Sequence, residues 1–255
     1  MAKNNNWTRE ETIIAFNVYC KVPFKSSSKT NPTIIKYANI IGRSPSALNM
    51  KVGNFGRLDP ELRKKGIVGL GNGSKLDEII WNEFNGNWDK LAFESEKLIA
   101  EFQNKSIEQI ETLNIEDFPK GEERETIIKA RVNQSFFRST ILSSYNLKCC
   151  ITGLSITDFL VASHIKPWSK DLENRTNPHN GLCLNSIHDK AFDRGFITVT
   201  PDFKILVSNF FDDYSNDLAV TDFFKKYQNQ FINLPDRFLP SKEFLDWHYS
   251  NIFIK

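Results

Sequence analysis

The chain has 255 residues, enough for one or two domains, and 40% of them are hydrophobic, which is sufficient for well-packed cores. No apolar run reaches the roughly 18 residues that span a bilayer, and the start of the chain lacks the apolar stretch of a signal peptide. We therefore expect a soluble, cytoplasmic protein. The four cysteines include no C-x-x-C pair, so we expect reduced thiols and no structural zinc.

Charge is distributed unevenly along the chain, although the net charge is only +2. Residues 1–75 carry 13 Lys+Arg and 4 Asp+Glu, a net of +9, whereas residues 76–125 carry 5 and 14, a net of −9. The basic front segment indicates a phosphate-binding surface in this region of the chain. The alternative is that these Lys and Arg side chains only solvate a helical face.

The front of the chain shows a series of helix signals. A T-x-x-E capping box at Thr8 predicts a helix over 9–20. A second helix begins at Pro32 and ends at Gly42, and Ser44 is placed to cap a third. We expect residues 1–107 to form an all-helical domain.

The second and third helices, with the glycine between them, have the layout of a helix-turn-helix; an ordinary helical pair is the alternative. If the motif is genuine, its third helix would lie in the major groove of DNA. Amide and ammonium groups there would contact bases and phosphates. The exposed face of that helix would present Ser46, Asn49, Met50, Lys51 and Asn54.

An acidic linker is expected over 108–125, before a second domain over 126–255. In that domain a strand over 159–164 precedes a polar loop, a second strand over 182–184 follows, and Ser186 is placed to cap a short helix. A further hairpin over 197–207 comes after Gly195. The fold class predicted for the whole chain is α+β, with a helical front domain and a ββα unit behind it.

Four short patterns in the second domain follow one another at compatible spacing. They are C-x-T-G at 150–153, A-S-H-I-x-P-W at 162–168, N-G-L-x-L at 180–184 and H-D-x-A-F-D-R-G at 188–195. In this order they resemble the HNH endonuclease family, in particular the branch found among restriction endonucleases. The resemblance covers residues 131–208 and implies a ββα-metal nuclease domain.

The resemblance also implies roles for three catalytic residues. His164 resembles the general base that takes a proton from water as the water attacks phosphorus. Asn180 resembles the residue that orders the loop and holds the two strands in register. His188 resembles a ligand of a single divalent cation, or a residue that positions one.

One position departs from the family pattern. Many of these enzymes have Asp or His as a metal ligand directly before the base, whereas this chain has Ser163. Asp189 and Asp193 are four residues apart on one helical face, and their oxygens suit Mg²⁺ or Mn²⁺. The spacing leaves open whether His188 or Asp189 takes the last ligand position.

Lys166 and Arg175, in the loop after the base, are candidates for clamping DNA phosphates, although they are also ordinary loop charges. The function we expect is a metal-dependent DNA endonuclease, in a restriction or defence role. The expected partner is double-stranded DNA and not a membrane, with a homodimer as an option because a double-strand cut usually needs two active sites.

Two other functions compete with this interpretation. The substitution at Ser163 would suit a DNA-binding regulator that carries a degenerate, inactive HNH unit. An RNA-cutting toxin is the third hypothesis. The helix-turn-helix layout argues against it, because the major groove of A-form RNA does not admit a helix.

Overall fold

A computed structural model describes residues 6–67, 73–110 and 122–255. The chain divides into two compact units, Met1–Ser143 and Ser144–Lys255. Most of the predicted acidic linker, residues 111–121, lies outside the described residues. Its last residues belong to a helix that continues to Ser144, because apolar side chains recur along that helix and are buried. Among the described residues, no helix is long and apolar enough to cross a membrane.

The first unit is built from helices, and the three predicted from the sequence are confirmed. The capping box at Thr8, the αL conformation of Gly42 and the cap at Ser44 are all present. The α-helices are α1 (Arg9–Lys21), α2 (Pro32–Ile41), α3 (Pro45–Leu58), α4 (Pro60–Lys64), α5 (Lys75–Phe84), α6 (Trp88–Phe102), α7 (Ile107–Ile110) and α8 (Glu122–Ser144), with a 3-10 turn at Phe24–Ser26.

Helix α1 is the centre of the first unit. Every residue from 11 to 20 is buried, and the helix packs against α2, α3, α5 and α6. The ring of Phe16 stacks on Phe55 with centroids 4.7 Å apart and lies 5.1 Å from Trp81. A surface helix buries only one apolar face. Because α1 is buried on all sides, it is the central helix around which the others pack.

Ion pairs join the basic front segment to the acidic segment that follows it. The Lys51 ammonium forms an ion pair with Asp77, and the two side chains are 4% and 0% exposed. Lys21 pairs with Glu96 at 2.7 Å, again largely buried. Much of the charge difference between the two segments is therefore neutralised inside the first unit.

The second unit contains two antiparallel hairpins and a short helix between them. In the first hairpin, β1 (Leu160–His164) pairs with β2 (Gly181–Asn185), and His164 lies opposite Gly181. Helix α9 (Ser186–Asp193) packs against both strands, which completes the predicted ββα unit. The remaining elements are β3 (Ile197–Val199), β4 (Ile205–Val207), α10 (Leu218–Phe223), α11 (Lys242–Asn251) and 3-10 turns at Thr157–Phe159, Pro178–Asn180, Asn209–Tyr214 and Lys225–Tyr227.

The start of α9 differs from the prediction. Its N-cap is Asn185, whose side-chain oxygen accepts from the backbone N–H groups of Ile187 and His188. Ser186, the predicted cap, is instead the first residue of the helix. Asn and Ser are comparable caps, so composition could not choose between two adjacent candidates.

The ion pair between Lys51 and Asp77 yields a stability prediction. We expect Lys51→Ala to destabilise the first unit by about 3–5 kcal/mol, because it leaves a buried carboxylate without its counter-charge. We expect the double substitution Lys51→Met with Asp77→Asn to restore much of this loss, because Asn removes the charge and keeps an oxygen for the Asn54 and Ser74 donors. Urea unfolding followed by tryptophan fluorescence measures both. A Lys51→Ala protein of unchanged stability would contradict the structural role of this pair.

Candidate active site

The loop between β1 and β2 is closed by the side chain of Asn180. Its Oδ1 accepts from the backbone N–H of Lys166 at 2.8 Å, and its Nδ2 donates to the carbonyls of Lys166 at 3.0 Å and Asn174 at 3.3 Å. The side chain is buried, with only 1% of the residue exposed. This buried amide bonds to backbone groups just after β1 and in the middle of the loop, and it therefore holds the loop in one conformation.

His164 ends β1 and is oriented by this loop. Its Nε2 lies 2.9 Å from the carbonyl oxygen of Arg175. Because a carbonyl oxygen only accepts, Nε2 must carry the hydrogen, and in the neutral ring the lone pair belongs to Nδ1. The ring also meets the Trp168 ring edge-on at 5.5 Å. The loop therefore sets both the tautomer and the direction of the imidazole.

The electrostatics of His164 favour its neutral form. Burial lowers the pKa of the imidazole, the bond to the Arg175 carbonyl partly offsets this, and the positive charge of Arg175 adds a smaller lowering effect. The ring is consequently uncharged at neutral pH. A neutral, oriented imidazole is able to accept a proton at Nδ1.

Asp189 and Asp193 lie one turn apart on α9. Burial raises the pKa of the Asp189 carboxyl, and the adjacent Ser163 hydroxyl partly offsets this. Burial also raises the pKa of Asp193, and the negative charge of Asp189 raises it further. The two carboxylates are therefore close enough to repel each other, and the structure brings them together as the spacing predicted.

Ser163 faces α9 from the neighbouring strand. The hydroxyl lies beside Asp189, and its Oγ is buried without a hydrogen bond of standard geometry among the described residues. The buried Ser163 oxygen and the two carboxylates form a polar site, where the positive charges of Lys190 and Arg194 only partly offset the rise in the pKa of the aspartates.

His188 is placed differently from the two aspartates. It is 2% exposed, and its Nε2 donates to the Phe223 carbonyl at 2.8 Å. Its ring lies edge-on to Phe224 and Tyr227. Its Nδ1 is buried without a hydrogen bond of standard geometry among the described residues. The ring lies near the Cys149 thiol: burial raises the pKa of that thiol, but the His188 and Thr152 contacts outweigh this and bring it to about 7. The structure therefore directs His188 into the interior and does not bring it together with Asp189 and Asp193.

The two basic residues of the loop hold the loop itself. Lys166 forms an ion pair with Asp171 at 3.0 Å. Arg175 donates from Nε to the Trp168 carbonyl at 3.0 Å, and its guanidinium lies over the Trp168 ring at 4.8 Å. Both remain partly exposed beside His164, so a structural role and a phosphate contact are compatible here.

The predicted DNA-facing side chains of α3 divide into two groups. Lys51 and Asn54 both bind the Asp77 carboxylate, and Lys51 is buried there. Ser46 is exposed, and Asn49 is half-buried with its Oδ1 accepting from the Ser27 hydroxyl at 2.8 Å. The structure therefore leaves the first half of α3 accessible and uses the second half for packing.

Sequence reasoning missed the polar residues that support the loop from within. Asn174 donates to Asp171, and Asn177 donates to Asn174 at 2.8 Å. The backbone carbonyl of Asn174 is one of the acceptors for the Asn180 amide. The signal was the spacing of three residues from Asp171 to Asn174 and on to Asn177, which is typical of side chains that bond to nearby backbone in consecutive turns.

Part of the second unit matches a known protein family. Residues 149–200 match the family model of HNH endonucleases. The match covers about a fifth of the chain, lies wholly within the second unit and contains His164, Asn180 and the two aspartates. No curated protein matches the chain. The family is one of nucleases that act on DNA and generally use a divalent metal ion.

The side chains of this site fit a hard divalent cation. No group of three or more His, Cys, Asp and Glu is arranged to hold a metal ion among the residues that the structure describes. Asp189 and Asp193 supply two carboxylates, and the Ser163 oxygen lies beside them. Mg²⁺ is commonly bound by one or two carboxylates, with water and substrate phosphate completing its shell. All-oxygen coordination also suits Mn²⁺ and does not suit zinc.

The bonds made by Asn180 predict a large effect of its removal. We expect Asn180→Ala to destabilise the second unit by on the order of 3 kcal/mol, because it leaves the Lys166 backbone groups without their partner. We also expect the loop over 166–180 to become sensitive to proteolysis. Thermal unfolding and limited chymotrypsin digestion measure the two effects. Lys170→Ala, at an exposed position of the same loop, is the control and should behave as the wild type.

Proposed function

We propose that the protein is a metal-dependent DNA endonuclease that hydrolyses phosphodiester bonds. The observation that carries the proposal is the orientation of His164, whose Nε2–H is fixed on the Arg175 carbonyl so that Nδ1 holds the lone pair. The match to the HNH endonuclease family over residues 149–200 supports it.

In this mechanism His164 acts as the general base. Its Nδ1 removes a proton from a water molecule as the oxygen of that water attacks the phosphorus of the scissile phosphate. Burial, the largest cause of the lowered pKa of this imidazole, keeps the ring neutral and ready to accept the proton at physiological pH. Asn180 contributes indirectly, because it holds the loop whose carbonyl orients the ring.

Asp189 and Asp193 are the residues that we propose as metal ligands. Burial raises the pKa of both carboxyls, and the negative charge of Asp189 raises that of Asp193 further; a bound cation would relieve both effects. A bound Mg²⁺ or Mn²⁺ would stabilise charge on the phosphate and on the leaving 3′ oxygen. We do not assign His188 to the metal, because its side chain is buried and its Nε2 is bonded to the Phe223 carbonyl.

The DNA contacts are proposed for two surfaces. Lys166 and Arg175 stand beside the base, where they would bind phosphates near the cut. In the first unit, Ser46 and Asn49 at the accessible end of α3 would contact DNA, with Lys51 and Asn54 supporting the helix from inside. A restriction or defence role, in a cytoplasmic protein, is proposed from the resemblance of the four motifs to restriction endonucleases.

The proposal is tested by cleavage of supercoiled plasmid, methylated and unmethylated, with Mg²⁺ or Mn²⁺ and with EDTA. We expect cleavage only with metal. His164→Ala should lower the cleavage rate by roughly 10²–10⁴-fold, because the water loses its general base. DNA binding by this variant, measured by gel shift in Ca²⁺, should be unchanged. Wild-type cleavage by His164→Ala would overturn the role of the histidine.

The carboxylate pair has its own test. Asp189→Asn and Asp193→Asn should each abolish metal-dependent cleavage or raise the Mn²⁺ concentration it requires, because each removes one of two anionic ligands. Asp158→Asn, at an exposed position just before β1, is the matched control and should cleave normally. Equal activity of all three variants would show that the metal is held elsewhere.

A second function is favoured by one observation, the presence of Ser163 where a ligand is usual. Two carboxylates alone would then be too few to hold a catalytic metal ion. The protein would be a DNA-binding regulator in which the ββα unit has only a structural role. This alternative predicts salt-dependent DNA binding without cleavage and without measurable Mn²⁺ binding in calorimetry. Mn²⁺ binding that is lost in Asp189→Asn would exclude it.

A further inference from the structure

His248, a residue of α11, binds the C-terminal end of α9. The His248 Nε2 lies 3.1 Å from the Phe192 carbonyl oxygen, and its Nδ1 lies 2.9 Å from the Thr198 hydroxyl. Because the carbonyl only accepts, Nε2 donates to it, and Nδ1 accepts from Thr198. The imidazole also stacks on the Phe192 ring, with centroids 3.7 Å apart and planes 10° from parallel. Both ring nitrogens and one ring face of His248 are thus engaged.

The residues that follow α11 hold the same end of α9. The backbone N–H of Ile254 donates to the Gly195 carbonyl at 2.9 Å. Gly195 has a φ of 75°, and a Cβ at this position would lie 2.1 Å from the Ile252 carbonyl oxygen. Only glycine fits this contact. The backbone that follows α9 therefore packs closely against the residues that follow α11.

These contacts converge next to one proposed metal ligand. Phe192, which His248 holds through both its carbonyl and its ring, directly precedes Asp193. At this end of the helix the Phe192 carbonyl accepts from the Gly195 N–H at 2.9 Å, and His248 adds a donor from outside the helix. Among the described residues, the helix is bound at its other end by the Asn185 cap.

We propose that His248 is a positioning residue, which sets the direction of the Asp193 carboxylate through Phe192. This inference rests on the proposed function, because it assumes that Asp193 holds the metal ion. His248 is 1% exposed and does not touch DNA or metal in this role. Burial lowers the pKa of its imidazole to about 4, which is consistent with a neutral ring that donates at one nitrogen and accepts at the other.

The test compares Mn²⁺ affinities measured by isothermal titration calorimetry on the full chain. We expect His248→Leu to weaken Mn²⁺ binding by about 10- to 100-fold. This loss is typical of residues that orient a metal ligand without binding the metal themselves. His248→Gln should recover most of the affinity, because its side-chain N–H replaces the donor to the Phe192 carbonyl. Ile232→Ala removes a buried side chain outside α9 and α11, and it is the control for general destabilisation.

The outcomes separate this inference from the proposed function. If the wild type binds no Mn²⁺, the proposed metal site fails and the inference fails with it. If the wild type binds Mn²⁺ and His248→Leu binds it equally well, only the inference is overturned. If Ile232→Ala loses as much affinity as His248→Leu at similar stability, the effect is one of general stability and the positioning role is also overturned.

Discussion

The candidate active site of the second unit depends on the buried amide of Asn180. Its three hydrogen bonds close the loop between β1 and β2, and that loop supplies the Arg175 carbonyl on which His164 is aligned. Without the amide, the backbone groups of Lys166 would be left unsatisfied. The asparagine therefore supports the orientation of His164 through the loop. An amide suits this position because it both accepts from and donates to backbone groups, which a charged side chain would not do.

In the first unit the equivalent constraint is electrostatic. Helix α1 is buried on all sides, and the helices around it are joined by ion pairs between the basic front segment and the acidic segment that follows. The basic segment and much of the acidic segment therefore belong to a single helical unit that neutralises itself. Lys51 shows this most clearly, because the side chain expected to face DNA forms a buried ion pair with Asp77.

The sequence predicted the regular features of the fold well. Capping signals at Thr8 and Ser44, the glycine at residue 42 and the order of two strands and a helix after residue 159 all correspond to elements of the structure. These features are local, since each depends on residues a few positions apart. Pairings between distant segments, such as Lys51 with Asp77 or His248 with Phe192, leave no local signal, so charge totals and motif spacing could not reveal them.

The proposed metal ligands show how much depends on the exact position at which a helix begins. Adjacent residues on an α-helix point about 100° apart. A change of one residue in the position of the helix would therefore turn a buried side chain toward the candidate site. From spacing alone, either His188 or Asp189 could take the last ligand position. The cap at Asn185 fixes the helix, and with it His188 points to Phe223 and Cys149 while Asp189 points to Ser163.

The most direct measurement is anomalous diffraction from crystals of the protein grown with Mn²⁺. We expect one strong Mn²⁺ peak within coordination distance of the Asp189 and Asp193 carboxylates, with the His188 ring still bonded to the Phe223 carbonyl. A peak coordinated by His188, or a fully occupied Mn²⁺ site away from α9, would contradict the proposed metal site.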